Sequence, residues 1–276
     1  MTKTITCLFL GYVLLTSHMA RADLVLSASP TETPEEGASI FEPLARYLSD
    51  ALGERVSYQH AGTAAKYHAD LRQDKYDLVF DDAHFSAWRM KRFNHTPLIR
   101  LGDDVSYTVV AHQKNARISR LTDIAGRRLC ATPPPALATL TVTRQFNPSR
   151  LPYIMTSHSY QESLDRVIKG GCVATVVDSV FLAKHDKSRE LKALFRSKPI
   201  PGMTLTAGKR LNVEQRNKIR AALLSPVANK SLKPLLNRYS HTGKVQAAAI
   251  PDYQGMELYL DSVWGFTLQT ANTSRY

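Results

Sequence analysis

The stretch Leu24-Val25-Leu26-Ser27-Ala28-Ser29 is the first of three short apolar runs that decide the fold class. The second is Val56-Ser57-Tyr58-Gln59-His60, and the third is Asp77-Leu78-Val79-Phe80-Asp81. Residues 33–52 and 62–73, which separate these runs, have apolar side chains at helical spacing. The order strand, helix, strand, helix, strand predicts a sheet of parallel strands with helices on its faces.

A second α/β unit follows a further helix predicted at 83–92. Its predicted elements are strands at 107–112, 128–132 and 172–177, a short helix or turn at 118–126, and helices at 136–146 and 159–168. The remainder is predicted to form a strand at 203–207, helices at 212–224 and 253–264, and a polar tail at 267–276.

The fold class expected from this order is α/β with two lobes, each a mostly parallel sheet flanked by helices. Residues 23–106 and 205–266 are expected to form lobe 1, and residues 107–204 to form an inserted lobe 2. Two chain crossings would then join the lobes and leave a cleft between them. Because ligands of open α/β sheets bind beyond the carboxyl ends of the strands, we expect the binding site in this cleft.

The first 22 residues are typical of a secretory signal peptide. Lys3 supplies a positive start, residues 5–16 form a mostly apolar run, and Ala20-Arg21-Ala22 places small residues before a cleavage site. A run of this length is too short for a membrane anchor, which needs roughly 20 apolar residues. We therefore predict cleavage after Ala22 and a periplasmic mature protein of 254 residues, 23–276.

The chain is basic, with a formal net charge of +12 that falls to +10 when Lys3 and Arg21 are removed. A basic surface attracts anionic solutes or an acidic membrane partner. The cations are scattered in small groups such as Arg127-Arg128, without an interleaved aromatic stripe. We therefore expect no nucleic-acid partner.

The two cysteines of the mature chain, Cys130 and Cys172, favour a disulfide, since exported proteins meet an oxidising compartment. Two buried free thiols are the alternative. The chain contains no HExxH, GxSxG or CxxC motif and no glycine-rich dinucleotide loop, and its histidines are scattered. No catalytic residue, metal site or cofactor is predicted.

The order of several short motifs resembles that of the periplasmic substrate-binding proteins of phosphate, phosphite and phosphonate ABC transporters. The resemblance extends from about Leu24 to Phe266. It rests on Pro34-Glu35, Pro43-Leu44-x-x-Tyr47-Leu48-Ser49-x-x-Leu52-Gly53, Asp77-Leu78-Val79-Phe80, Tyr107, Ile118-x-x-Leu121-x-Asp123-x-x-Gly126-Arg127, Ser157-His158, Lys198-Pro199-Ile200-Pro201 and Asp252-Tyr253. It implies a type II periplasmic-binding-protein fold that closes on its ligand by a hinge motion.

One segment departs from the family pattern. Phosphonate binders carry a Ser-Thr-Ser-Gly-like turn that holds the oxyanion, where this chain has Thr132-Pro133-Pro134-Pro135-Ala136. Prolines have no backbone N–H to donate to an oxyanion. An oxyanion would therefore lose several of its expected donors. A mixed lining of Asp, His, Thr and Tyr side chains suits a small polar solute, such as a zwitterion, better than a bare trianion.

Nine residues are candidate ligand contacts because they stand at strand ends, at turns or beside helix starts. They are Glu32, Asp82, His84, Tyr107, Thr132, Thr139, Thr141, His158 and Asp178. Each also has a structural interpretation. Asp82 and His84 could belong to a surface loop with a helix cap, Asp178 could cap the next helix, and Glu32 could simply be solvated. The threonines could have structural roles only, Tyr107 could pack, and His158 could be a second-layer helix cap.

The function predicted is a solute-binding protein that captures a small polar or anionic ligand for an inner-membrane ABC permease or a sensor, as a monomer. Two alternatives remain open at this point. One is a sensing or accessory protein without a transport role. The other is an enzyme on the same fold that uses Cys130 or His158.

Overall fold

The structure is a computed structural model that describes residues 23–268. The predicted signal peptide and residues 269–276 of the predicted tail lie outside the described residues. No helix among residues 23–268 is long and apolar enough to cross a membrane.

Lobe 1 is built on a six-stranded sheet in the order β11-β4-β10-β3-β1-β2. Its strands are β1 (Leu24–Ala28), β2 (Val56–Tyr58), β3 (Leu78–Asp81), β4 (Thr96–Leu101), β10 (Thr204–Ala207) and β11 (Val245–Ala247). Five helices belong to this lobe: α1 (Pro34–Leu52), α2 (Ala64–Arg72), α3 (Ala83–Phe93), α7 (Val213–Leu224) and α8 (Asn229–Tyr239).

The first helix shows how the sequence sets these elements. Thr33 and Glu36 form a capping box, in which the backbone N–H of each residue donates to the side chain of the other. Helix α1 ends where Gly53 adopts the left-handed conformation, with φ of +71°. Between these ends, Phe41 and Leu48 are buried against the sheet in a core shared with α7 and α8. The predicted helix is confirmed at both ends.

Lobe 2 is built on a five-stranded sheet in the order β7-β6-β8-β5-β9. Its strands are β5 (Tyr107–His112), β6 (Arg128–Ala131), β7 (Tyr153–Thr156), β8 (Ala174–Asp178) and β9 (Leu191–Arg196). Its helices are α4 (Leu137–Thr143), α5 (Tyr160–Ile168) and α6 (Ser179–His185).

Both sheets are mixed, which corrects the expectation of mostly parallel pairing. Strands β1, β2 and β3 pair in parallel, as do β6, β7 and β8, but β10 and β5 run antiparallel to their neighbours. The reason is the crossings: β5 and β10 each enter a lobe from the cleft, whereas the parallel strands end there.

The two crossings run side by side between the lobes. Val105 and Ile200 exchange backbone hydrogen bonds of 2.8 Å, and the Leu101 N–H donates to the Met203 carbonyl at 2.9 Å. Gly202 is required here, since a Cβ on it would lie 2.3 Å from the Asp103 carbonyl oxygen. The crossings therefore form a tightly packed two-stranded connection between the lobes, which we call the hinge because any movement of one lobe against the other must bend it.

The predicted disulfide is confirmed. Cys130 in β6 and Cys172, two residues before the neighbouring strand β8, are bonded with a Cα–Cα distance of 5.8 Å. Both are buried with Val167 in a small apolar cluster. The bridge therefore joins two adjacent strands within lobe 2.

The end of the chain differs from the expected helix at 253–264. Two 3-10 turns, Ile250–Tyr253 and Met256–Leu260, take its place. Gly255 lies between them in the left-handed conformation, with φ of +83°, and interrupts the helical path. The apolar spacing that suggested a helix instead buries Tyr253 and Leu260 in two different apolar clusters.

Candidate functional site

A cavity of about 1100 Å³ lies between the lobes, at the carboxyl ends of β3, β6 and β8. Both lobes and the hinge contribute to its walls. Six of the nine candidate residues line it: Asp82, Tyr107, Thr132, Thr139, His158 and Asp178. Their role in binding stays a prediction, but the fold places them on one surface.

Asp82 is the acidic group of the lobe 1 wall. It follows β3 and precedes α3, but its side chain makes no capping hydrogen bond. Burial, and secondarily the charge of Asp81, raise the pKa of the Asp82 carboxyl to about 7. The carboxyl therefore faces the cavity near the midpoint of its titration at neutral pH.

Directly behind Asp82 lies a buried charged network that the sequence analysis did not foresee. Asp81 accepts hydrogen bonds from the Tyr67 hydroxyl at 2.6 Å, from Arg89 at 3.0 Å and from the backbone N–H of Asp82 at 2.9 Å. The side chains of Asp81 and Arg89 are each only 1% exposed. This network fixes the backbone that carries Asp82.

Asp178 is the acidic group of the lobe 2 wall. One carboxylate oxygen, Oδ1, accepts hydrogen bonds from the backbone N–H groups of Val180 and Phe181 and so caps α6. Across the cleft, the His241 imidazole of lobe 1 lies 3.8 Å from the same oxygen. Both proposed roles of Asp178 are therefore compatible: one oxygen caps the helix while the other, Oδ2, makes no hydrogen bond within residues 23–268.

Two tyrosines stand beside these carboxylates. Burial is the main cause that raises the pKa of Tyr107 well above its usual value, and the pKa of Tyr160 is raised for the same reason. The charges of Asp82 and Asp178 act on both hydroxyls in the same direction. Tyr107 and Tyr160 thus keep their protons and can donate hydrogen bonds at the acidic end of the cleft.

The triproline turn leaves few donors for an oxyanion. Thr139 donates its hydroxyl proton to the Thr132 carbonyl at 2.5 Å, and Thr132 donates its own to the Ser157 carbonyl at 3.3 Å. Both hydroxyls therefore support the turn rather than offer their protons to the cavity, and Pro133, Pro134 and Pro135 have no N–H.

His158 is an exposed residue of the cavity lining and lies two residues before Tyr160, the first residue of the capped helix α5. Its backbone N–H donates to Glu162 at 2.8 Å, and Ser159 caps the helix by accepting from the Glu162 N–H. His158 is also among the residues that line the cavity. Its backbone therefore supports the helix start, and a ligand contact of this residue stays a prediction.

Three candidate residues do not line the cavity. His84 is fully buried, and its Nε2 lies 2.9 Å from the Pro135 carbonyl of the other lobe. Thr141 is buried within α4 and donates to the Leu137 carbonyl at 2.8 Å. Glu32 accepts from Arg238 at 2.8 Å and from the Tyr239 hydroxyl at 3.3 Å, so it supports the wall from behind.

Other lining residues were not predicted from the sequence. Some lie in α6, in α8 or just after α8, which the sequence pattern did not predict, whereas His68, Phe85 and Tyr160 lie in helices that it did predict. The missed side chains include His68, Phe85, Tyr160, Phe181, Lys184, Arg238, Tyr239 and His241. Helix α8 was not predicted because it contains Pro234, and proline is unfavourable in the interior of a helix. No group of three or more potential metal ligands is assembled among residues 23–268.

Several solved structures are similar to this chain in fold. XAC2383 from Xanthomonas citri bound to ATP matches with a TM-score of 0.69 and 15% identity, over 88% of this chain and 100% of that chain. PhnD1 from Prochlorococcus marinus in complex with methylphosphonate gives a TM-score of 0.65 and 14% identity, over 86% and 97% of the two chains.

A third structure, the binding protein component PA3383 of an ABC phosphonate transporter from Pseudomonas aeruginosa, gives a TM-score of 0.60 and 19% identity, over 84% and 83%. At these identities the likeness shows the two-lobed binding-protein fold. No significant match was found among curated proteins.

The family is identified by sequence. Residues 26–253 match the family model described as "ABC transporter, phosphonate, periplasmic substrate-binding protein". This range includes most of both lobes, the hinge and every residue of the cavity lining. This family consists of transporter binding proteins and is not an enzyme family, and its members act in the periplasm. The chain therefore belongs to the phosphonate family of periplasmic substrate-binding proteins of ABC transporters.

Proposed function

We propose that this protein captures a small solute carrying a positively charged amine in the cleft between its lobes and delivers it to an inner-membrane ABC permease. Solute binding with an ABC permease is the role of the family. The nature of the solute is the further step. The observation that carries it is the pair of carboxylates, Asp82 and Asp178, which approach one cavity from opposite lobes.

Two carboxylates beside a cleft favour a cation over a dianion. An ammonium group held between Asp82 and Asp178 would form charge-assisted hydrogen bonds, which are about twice as strong as neutral ones. A phosphonate at the same place would meet like charges and few donors, because the triproline turn has no N–H to give. The amine would also connect the two lobes and so favour the closed form.

The cavity wall also carries cations that can accept the anionic part of a zwitterion. Lys184 on lobe 2 and Arg238 on lobe 1 line the cavity, and Arg238 is also paired with Glu32. The carboxylates would hold the amine and these cations the acidic group. A solute with an amine and an acidic group separated by a short spacer satisfies both.

The test is a thermal-shift and calorimetric comparison of matched ligand pairs, such as 2-aminoethylphosphonate with ethylphosphonate and an amino acid with its deaminated acid. Only the amine-bearing member of a pair should raise the melting temperature. Asp178→Asn should weaken its binding by about 10- to 150-fold, the range for a lost charged hydrogen bond. Glu214→Gln, which removes a carboxylate from exposed α7, is the matched control and should bind as the parent does.

Equal binding of both members of each pair would overturn the assignment of an amine while leaving solute capture intact. The absence of any stabilising solute in a broad metabolite panel would count against solute capture itself.

A second candidate function is ligand sensing, in which this protein would bind a larger solute in the same cleft. A volume of about 1100 Å³ lies just above the range of about 300–1000 Å³ that is typical of small-molecule pockets. Tyr160 and Phe181 form an aromatic pair on one wall, with ring centroids 5.4 Å apart, and the structurally similar XAC2383 is bound to ATP. Stabilisation by nucleotides, and not by small amines, would favour this alternative.

We further propose that the chain is periplasmic after cleavage behind Ala22 and acts as a monomer. Intact mass spectrometry of the exported protein tests the cleavage site, and sedimentation velocity tests the monomeric state. A mass that includes residues 1–22, or a dimer at micromolar concentration, would contradict them.

A further inference from the structure

The positive charge of this protein is concentrated in one lobe. Residues 107–204, which hold all five strands of lobe 2, contain 15 Lys and Arg but only 6 Asp and Glu, a net charge of +9. The other described residues, 23–106 and 205–268, contain 18 of each and are neutral. Overall basicity of the chain is therefore a property of lobe 2.

Within lobe 2 the charge is concentrated at the end that faces away from the cleft. Arg127 and Arg128 stand at the start of β6, and Arg150 stands just before β7. These segments are joined side by side, because the Tyr153 N–H donates to the Arg127 carbonyl and the Val173 N–H donates to the Arg128 carbonyl. We name this surface the basic pole; its exposed cations are Lys114, Arg117, Arg127, Arg128, Arg150 and Lys169.

The cations of the basic pole have few carboxylates to neutralise them. None of the six forms an ion pair within the part of the chain that the structure describes. The nearby Asp123 is taken by Arg120, at 3.2 Å, and by the backbone N–H groups of Ser119 and Arg120. The pole therefore projects a positive field into solvent.

Large apolar side chains are exposed among these cations. Tyr153 is 64% exposed, Leu151 is 42% exposed and Ile168 is 39% exposed. Tyr153 is on β7, the edge strand of the sheet, and is paired in register with Arg128. A mixture of aromatic, aliphatic and cationic side chains is typical of surfaces that rest in the headgroup region of a membrane.

We propose that the basic pole docks lobe 2 on an anionic lipid surface. The cations are spread from β7 across β6 and β8 to the loop that follows β5, a width of about 15 Å for neighbouring strands 4.8 Å apart. An extended acidic peptide would follow a single line across this surface, whereas a lipid surface offers anionic headgroups in two dimensions. Each cation near such a surface strengthens binding by about fivefold.

Docking in this way leaves the cleft accessible. The same strands that begin at the basic pole end at the cavity, with Thr132 after β6 and Asp178 at the end of β8. Strands of four or five residues separate the two surfaces by about 15 Å. The protein can therefore remain near the membrane that houses a permease while its cleft takes up solute.

The test is co-sedimentation of the purified exported chain with vesicles of phosphatidylcholine, with or without about a quarter of phosphatidylglycerol. The expected result is binding to the anionic vesicles only, lost when ionic strength rises from about 0.05 M to about 0.5 M, because the Debye length then falls to a few ångströms. The quadruple variant Arg127→Gln, Arg128→Gln, Arg150→Gln, Lys169→Gln should bind at least tenfold more weakly.

The matched control removes the same charge from exposed positions of lobe 1, by Lys209→Gln, Lys218→Gln, Lys230→Gln and Lys233→Gln. This control should stay within twofold of the parent, since its cations lie outside the pole. Tyr153→Ser should weaken binding without changing its dependence on salt. Unchanged melting temperatures would show that each variant is folded.

Three outcomes would overturn the proposal. The first is equal binding to neutral and anionic vesicles. The second is an equal loss in the lobe 1 control, which would show that net charge alone matters. The third is failure to bind anionic vesicles; tight binding to polyglutamate would then identify an acidic protein as the partner instead.

Discussion

The charge state of Asp82 gives the most quantitative prediction from this structure. In the unfolded chain this carboxyl titrates near its ordinary value of 3.8, and in the folded chain its pKa is raised to about 7 by burial and by Asp81. Between these values the folded state holds the proton more tightly, so stability falls as pH rises from about 4 to about 7. At 1.36 kcal/mol per pKa unit, the cost of ionising Asp82 reaches about 4 kcal/mol above pH 7.

Asp82→Asn removes this cost, because the amide is neutral at every pH. We expect the variant to match the parent in stability near pH 4 and to exceed it by up to about 4 kcal/mol near pH 8. Urea unfolding at each pH, with Glu214→Gln as the control, measures the difference. A constant difference between Asp82→Asn and the parent from pH 4 to pH 8 would refute the reasoning, because it would show that Asp82 titrates alike in both states.

Four further predictions concern the bridge, the buried pair, the hinge and the ligand. Cys130→Ala with Cys172→Ala should lower the free energy of unfolding by about 2–4 kcal/mol, since the bridge closes a loop with a sequence separation of 42; a loss below about 1 kcal/mol in urea unfolding would contradict this. Arg89→Met should cost about 3–5 kcal/mol because it leaves Asp81 buried without its partner, and a near-neutral effect on the melting temperature would disprove that dependence. Gly202→Ala should destabilise the protein by about 1–3 kcal/mol, since the new Cβ would lie 2.3 Å from a hinge carbonyl, and should slow lobe closure in stopped-flow fluorescence; unchanged kinetics and stability would count against a rigid hinge. Binding of an amine should weaken by up to tenfold per pH unit below about pH 7, because Asp82 must lose its proton, and calorimetry that finds no proton release at pH 6 would contradict it.

The architecture could be predicted from the sequence where local signals agree with the fold. The Thr33 cap and Gly53 bracket α1, and the apolar runs of β1 and β3 are buried as expected. Elements without such signals were missed. Strand β7 was not predicted because it is an edge strand without a buried apolar run, as the exposed Tyr153 shows. Helix α8 was not predicted because Pro234 lies within it.

The candidate site was predicted in outline because ligand clefts of α/β sheets lie at strand ends, and Asp82 and Asp178 both stand there. Sequence spacing could not show which polar atoms already form hydrogen bonds within the protein. His84 is turned away to the Pro135 carbonyl, and the hydroxyl of Thr139 is bonded within the turn. The Asp81–Arg89 pair depends on contacts between α3 and β3 that spacing alone does not reveal.

The central claim is that a solute amine is held between carboxylates contributed by both lobes. A crystal structure of the protein grown with the amine-bearing solute that stabilises it most would test this directly. The account predicts the ligand nitrogen within hydrogen-bond distance of both Asp82 and Asp178, with the lobes closed over it. An anionic group at that position, or a ligand bound through one lobe alone, would contradict the account.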